Sequence, residues 1–184
     1  MKIVEEIRKF VEEECKKPTS KYGYEIYLTH FVPTSKIARL SAERLNADAE
    51  VVEIAALLHD IGSIIYGREN HHMTSAEIAG KKLKELNYPL EKIEKIKKCI
   101  LTHNTSQNLK AKTIEAQILA DADGMAMFER IEGLFAAALV YENLGEKESR
   151  FSVKQKLIKS FDKLSLEARE IIKPKYEAAM LLLR

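Results

Sequence analysis

Apolar residues recur along this chain at intervals of three and four and almost nowhere at two, which is the period of a helix face rather than of a strand. The pattern predicts helices over 3–16, 34–45, 49–59, 75–87, 90–103, 112–130, 133–143, 152–163 and 166–184. One stretch departs from the amphipathic rule: Val51-Val-Glu-Ile-Ala-Ala-Leu-Leu58 is apolar nearly all round, and a helix of that kind is buried. Local signals suggest edges. Thr74-Ser-Ala-Glu77 has the spacing of a capping box and predicts a helix start. Gly62 follows the apolar run where a left-handed C-terminal cap is wanted. Pro89 opens the next helix, and Pro174 is expected to kink the last helix or mark its start. The stretches 62–73 and 104–111 are expected to be loops, and both are places to look for chemistry.

Composition strengthens the helical expectation. With 7 Gly and 4 Pro in 184 residues, and Leu, Ala, Glu and Lys abundant, the fold is expected to be all-α and the whole of 1–184 a single domain. Charged residues make up 32% and the net charge is +2, with signs interspersed, so a nucleic-acid polymer is not an expected partner. No apolar run approaches a membrane span, and the first eight residues alternate charge, unlike a signal peptide. Two cysteines, Cys15 and Cys99, make no disulfide framework. A cytoplasmic location is therefore expected. The helix over 1–17 and the helices over 149–184, with Phe151, Leu157, Phe161, Ile171 and Met180-Leu-Leu-Leu183, are expected to pack on the bundle or to form a homodimer face.

The chemistry lies in the histidines: His30, His59, His71, His72 and His103. His59-Asp60 ends the buried run, where an imidazole and a carboxylate side by side cost several kcal/mol unless something satisfies them. A divalent cation does so, since it takes neutral imidazole and ionised carboxylate. A His-Asp pair alone is more often a buried hydrogen-bonded couple. His103 changes the odds, because it shares a face with Ile93, Ile96 and Ile100. His30 falls in phase with Ile37 and Ser41 if the helix reaches back through Pro33. His71 and His72 precede the Thr74 cap, close enough to fold over a site. Helical bundles commonly assemble metal sites from inward side chains on facing helices. Two further acids, Asp121 and Asp123, interrupt the apolar helix Ile118-Leu-Ala-Asp-Ala-Asp-Gly-Met-Ala-Met127. Phase does not choose between them, and the one that is not a ligand is expected to cap a neighbouring helix or sit on a polar seam.

The string Ala55-Ala-Leu-Leu-His-Asp-Ile-Gly62, preceded by His30 and Lys36-Ile-Ala-Arg-Leu40 and followed by Asp123, resembles the HD-domain superfamily of metal-dependent phosphohydrolases. The resemblance spans 30–128 and implies an all-helical bundle of the HD type. It implies that His30, His59, Asp60 and Asp123 hold a divalent metal, and it prefers Asp123 to Asp121. A subset of the superfamily adds two histidines. His71, six residues before Glu77, meets its spacing where His72 misses by one, and His103 resembles the other. His71 and His103 are thus expected to hold a second ion or face the substrate. One departure stands out: relatives carry Asp-Ala-Asp-Arg-Leu-Asp where this chain has Asp121-Ala-Asp-Gly-Met-Ala126, so the basic residue beside the metal aspartate is missing. Arg68, just before His71, is a candidate replacement phosphate contact, although a solvated loop arginine is the commoner case.

A metal held by His and Asp with open positions lowers the pKa of bound water from 15.7 toward about 7 and polarises a phosphoryl oxygen. Two imidazoles and two carboxylates suit Mn, Fe, Co, Ni or Zn, as one or two ions. The expected activity is hydrolysis of a phosphomonoester or phosphodiester, with a nucleotide among the candidates. Asp60 takes part through the ion, and His71 or His103 protonates the leaving oxygen if it is not a ligand. Two rivals are an HD-fold di-iron oxygenase and a non-catalytic metal- or ligand-binding module. Met125, Met127 and both cysteines are expected to be inert core.

Overall fold

The computed structural model describes residues 2–103, 113–140 and 142–184. The expected loop 104–111 lies outside the described residues. Those described are helical throughout, with no strand among them. In chain order the elements are α1 Lys2–Lys16, a widened π-helical turn Tyr27–Phe31, α2 Val32–Arg44, α3 Ala49–Leu58, α4 Ile61–Tyr66, α5 His71–Glu85, α6 Leu90–Thr102 and α7 Ile114–Ala126. A single 3-10 turn, Met127–Glu129, then leads into α8 Ile131–Val140, α9 Glu146–Lys163 and α10 Leu166–Leu182.

Helix α3 is the axle. Every residue from Val51 to Leu58 is buried, and α1, α2, α6 and α7 pack around it. Asp48 starts it by accepting a hydrogen bond from the Val51 N–H at 3.1 Å. Its buried charged residue, Glu53, pairs with Arg8 at 2.9 Å and Arg39 at 3.5 Å. Truncating Leu57 or Leu58 to Ala would cost about 2–5 kcal/mol, the usual range for a fully buried leucine.

A second, smaller core gathers Met125, Phe128, Leu134, Ala138, Val153, Leu157, Leu164, Ala168, Ile172, Ala179 and Leu183. The two cores meet along α7, whose first half (Ala116, Ile118, Leu119, Ala122) belongs to the main core and whose last turn belongs to the second. Helices α9 and α10 both contact α7, and Phe151, Ile171, Leu181 and Leu182 are exposed.

Three local expectations need correction. Gly62 is not a left-handed cap but part of α4, at its closest approach to α5. A Cβ there would stand 2.1 Å from Thr74 Oγ1 and 2.8 Å from both the His71 carbonyl oxygen and the Ser75 nitrogen. Thr74 does not begin a helix: α5 starts at His71, and the Thr74 hydroxyl donates to the His71 carbonyl from within the first turn. The chain instead reverses over 67–70, with Gly67 and Asn70 at positive φ, so the expected loop 62–73 shrinks to that link. Pro174 lies inside α10, which starts earlier at Ser165, whose side chain accepts from the Ala168 N–H.

Candidate metal centre

The histidines sit at helix ends, and there is a physical reason for it. The last carbonyls of a helix have no partner within the helix. His59, just past α3, points Nδ1 at the Ala56 carbonyl oxygen at 2.8 Å, and His103, just past α6, points Nδ1 at that of Ile100 at 2.5 Å. His71, at the start of α5, does the same to Arg68 at 2.9 Å. A carbonyl only accepts, so in each ring Nδ1 carries a proton and Nε2 is the nitrogen turned inward. His30 comes from the π-helical turn, a widening often found at functional sites. That extra residue shifts the phase. His30 Nδ1 lies 3.5 Å from Thr34 Oγ1, and Thr34 and Ala38 are fully buried where Ile37 and Ser41 are partly so.

The inward atoms converge on Asp60. On its Oδ2 side, His30 Nε2 lies 3.1 Å from His59 Nε2, 3.5 Å from Asp60 Oδ2 and 3.5 Å from Asp123 Oδ1. His59 Nε2 lies 3.7 Å from Asp60 Oδ2 and 3.6 Å from Asp123 Oδ1. On the other side, His71 Nε2 and His103 Nε2 lie 3.4 and 3.7 Å from Asp60 Oδ1. Apart from the imidazole pair, these distances are too long for good hydrogen bonds. They match the separation of ligands sharing one ion, about 3.4 Å for tetrahedral ligands at roughly 2.1 Å from the metal. Asp60 Oδ1 is buried with no hydrogen-bond partner. An orphaned carboxylate oxygen facing two imidazole nitrogens is costly in the protein alone and satisfied by a cation.

Charge supports the same fit. Burial opposes ionisation of His30, His59, Asp60 and Asp123. His59 is nonetheless raised to about 9 by the Asp60 and Asp123 carboxylates, whereas burial and the charge of Arg130 hold His30 below its ordinary value. Against their own burial, Asp60 and Asp123 are held well below the carboxylate range, in both cases chiefly by the nearby His59 imidazole. Both acids are thus anionic and ready to ligate. The Asp123 side chain, 34% exposed against 0% for His59, marks the mouth of the centre.

Asp121 points elsewhere. It accepts from the Ser165 N–H at 2.8 Å and the Ser165 hydroxyl at 2.7 Å, holding the start of α10. Of the two acids, then, Asp123 joins the cluster and Asp121 serves as the support for a neighbouring helix. His72 stays outside the cluster, its ring edge-on to that of His71. Arg68 is exposed. Burial pushes the Cys15 and Cys99 thiols up to about 12, so neither offers a thiolate at neutral pH.

Sequence reasoning missed Arg130. Its charge acts on His30, Asp60 and Asp123, and burial is the main cause of its own lowered pKa. Arg130 lies seven residues after Asp123, beyond the end of α7 and a 3-10 turn, whereas the sequence reading weighed position 124 and Arg68 for a basic residue.

The HD domain family model matches residues 27–128, more than half of the chain. The chain belongs to the HD-domain family. It is also 30% identical over 139 residues to Ribonuclease Y of Fusobacterium nucleatum, an alignment covering 73% of this chain but only 25% of that protein. Among solved structures it is similar to Bacillus subtilis YpgQ in complex with ADP, with a TM-score of 0.72 and 21% identity over 97% of this chain and 92% of that one. A Bacillus thuringiensis HD-superfamily hydrolase matches with a TM-score of 0.74 and 19% identity, over 99% of this chain and 93% of that one. At such identities these structures speak for the fold. The expected all-α HD bundle is the observed one. No helix among the described residues is long and apolar enough to cross a membrane.

Proposed function

We propose that this HD-domain protein is a metal-dependent phosphohydrolase acting on a small phosphorylated substrate, a nucleotide foremost. The observation that carries the reading is the orphaned Oδ1 of Asp60, set between imidazole nitrogens on one side of a carboxylate whose other oxygen faces a second pair. His30, His59, Asp60 and Asp123 would hold one divalent ion, and His71 and His103 with Asp60 a second, drawn from Mn, Fe, Co, Ni or Zn. Bound there, such ions supply nucleophilic hydroxide at neutral pH and neutralise charge building on the phosphoryl group.

The chain's own residues do the rest. The three ring-to-carbonyl bonds lock His59, His71 and His103 with Nε2 inward, so no reorientation is needed when a ligand arrives. The buried α3 wall behind His59 keeps bulk water from that side, while the open edge at Asp123 admits substrate. Where a single ion is bound, the free Nε2 of His71 or His103 takes up a proton and delivers it to the leaving oxygen. The preference for a nucleotide draws on two relatives, one named a ribonuclease and one solved with ADP.

The test is metal analysis of protein purified without chelator or metal-bearing tag, followed by hydrolysis of a generic phosphoester and of nucleotides with and without EDTA. Two equivalents of metal, with turnover abolished by EDTA and restored by metal, are expected. Absence of bound metal under every condition would sink the proposal. Two equivalents of iron with oxygen uptake and no ester turnover would replace it with an oxygenase.

A further inference from the structure

Arg130 carries a charge that acts on the centre, yet among the described residues it enters none of the ion pairs found there. It follows the turn Met127–Glu129 and opens α8, its carbonyl accepting the Leu134 N–H. Its Nε is buried and has no hydrogen-bond partner. The ion pairs of the centre join the histidines to Asp60 and Asp123 without it. Its charge nevertheless reaches both carboxylates and His30. A guanidinium does not shed its proton, so burying one with an orphaned N–H beside a cation site is unfavourable unless an anion completes it. The planar fork of arginine matches the oxygens of a phosphoryl group.

The position that carries the basic residue in relatives is turned toward α9 here. Gly124 backs onto α9 and the residue after it: a Cβ would stand 2.7 Å from Leu164 Cδ2 and 3.1 Å from Ser160 Oγ, and the Ser160 hydroxyl donates to the Gly124 carbonyl. A side chain at 124 would enter only if those two side chains shifted. Arg130, past the end of α7 and the 3-10 turn, is the cation whose charge acts on Asp123. Arg68, which the sequence had suggested for the role, is exposed, and its charge acts on Arg130 rather than on the ligands themselves.

We infer that Arg130 is the residue that grips the phosphoryl oxygens of the substrate, in place of the basic residue missing at Gly124. The inference rests on the hydrolase reading for its substrate, but its test does not depend on turnover. Inorganic phosphate is titrated calorimetrically into metal-loaded wild type, Arg130→Met and Arg130→Lys, with metal content and thermal midpoint measured for each. Phosphate binding is expected to weaken at least about tenfold in Arg130→Met, with metal content unchanged. Arg130→Lys keeps the charge without the fork, so intermediate affinity is expected. It also carries the comparison if the Met variant fails to fold. Undiminished phosphate affinity in the folded variants, or a metal-loaded wild type that binds no phosphate, overturns the inference. Ester turnover by wild type with an unchanged KM in Arg130→Met would overturn it while leaving the hydrolase reading intact. Phosphate held through Arg130 without any ester turnover would do the reverse.

Discussion

On the Oδ2 side of Asp60, His30 and His59 come from elements sunk in the main core and are joined by Asp123 from α7. On the Oδ1 side, His71 and His103 come from the first turn of α5 and the end of α6. The first half is the more deeply enclosed: His59 is fully buried at the end of α3, whose residues from Val51 to Leu58 are all buried. The second half is held by two ring-to-carbonyl hydrogen bonds and by the tight α4–α5 crossing at Gly62. The difference teaches that one carboxylate can face two histidine pairs positioned by different means, core burial on one side and a helix crossing on the other.

Asp60→Asn should have the largest effect, since it alone serves both halves: metal content measured by mass spectrometry falls to zero and hydrolysis with it. Full metal occupancy in this variant would end the shared-carboxylate description. Splitting the halves comes next. His59→Ala should lose metal on the Oδ2 side, whereas His71→Ala should keep that ion, lose the other equivalent, and lower turnover about 10- to 100-fold. Equal metal loss in both variants would erase the distinction between the two sides.

The neighbouring acids give a smaller contrast. Asp121→Ala should leave metal content unchanged and cost about 1 kcal/mol through the lost support of Ser165, seen as a lower thermal midpoint. Asp123→Ala should do the opposite. Reversal of that pattern would exchange their roles.

The smallest effect lies far from the centre, where Tyr88 donates to Glu50 Oε1 at 2.6 Å and Lys92 pairs with it at 3.1 Å. The Tyr88 hydrogen bond, opposed by partial burial and aided by Lys92, lowers the Glu50 pKa below 4.5. A depressed carboxylate contributes stability that is complete above its unfolded value and is lost as pH falls through the folded one. Tyr88→Phe should therefore melt slightly below wild type at pH 7, and the gap should narrow below about pH 4.5. A gap that widens on acidification would contradict the pairing.

Legibility in the sequence followed the strength of local physics. The run from Val51 to Leu58 announces a buried helix wherever it occurs, and His59-Asp60 at its end announces a cost that demands a partner. Edges depending on a crossing were misread. Gly62 looks like a cap locally, yet it is required by Thr74 and Ser75 from another helix. The capping-box spacing at Thr74 yields to a helix that begins three residues earlier, where the Asn70 reversal leaves it. Arg130 was overlooked because it lies past the end of α7, where only the fold of the turn Met127–Glu129 brings its charge to bear on the centre.

The sequence by itself determined the helices, the core and the identities of the convergent side chains, because helical period and the cost of buried polar groups are properties of short stretches. Tertiary structure decided which acid faces the centre, which ring nitrogens point inward, and which cation stands beside them. Those choices depend on what lies across the gap: Ser165 draws Asp121 away, carbonyls at helix ends fix the imidazoles, and Leu164 stands where a side chain at Gly124 would go.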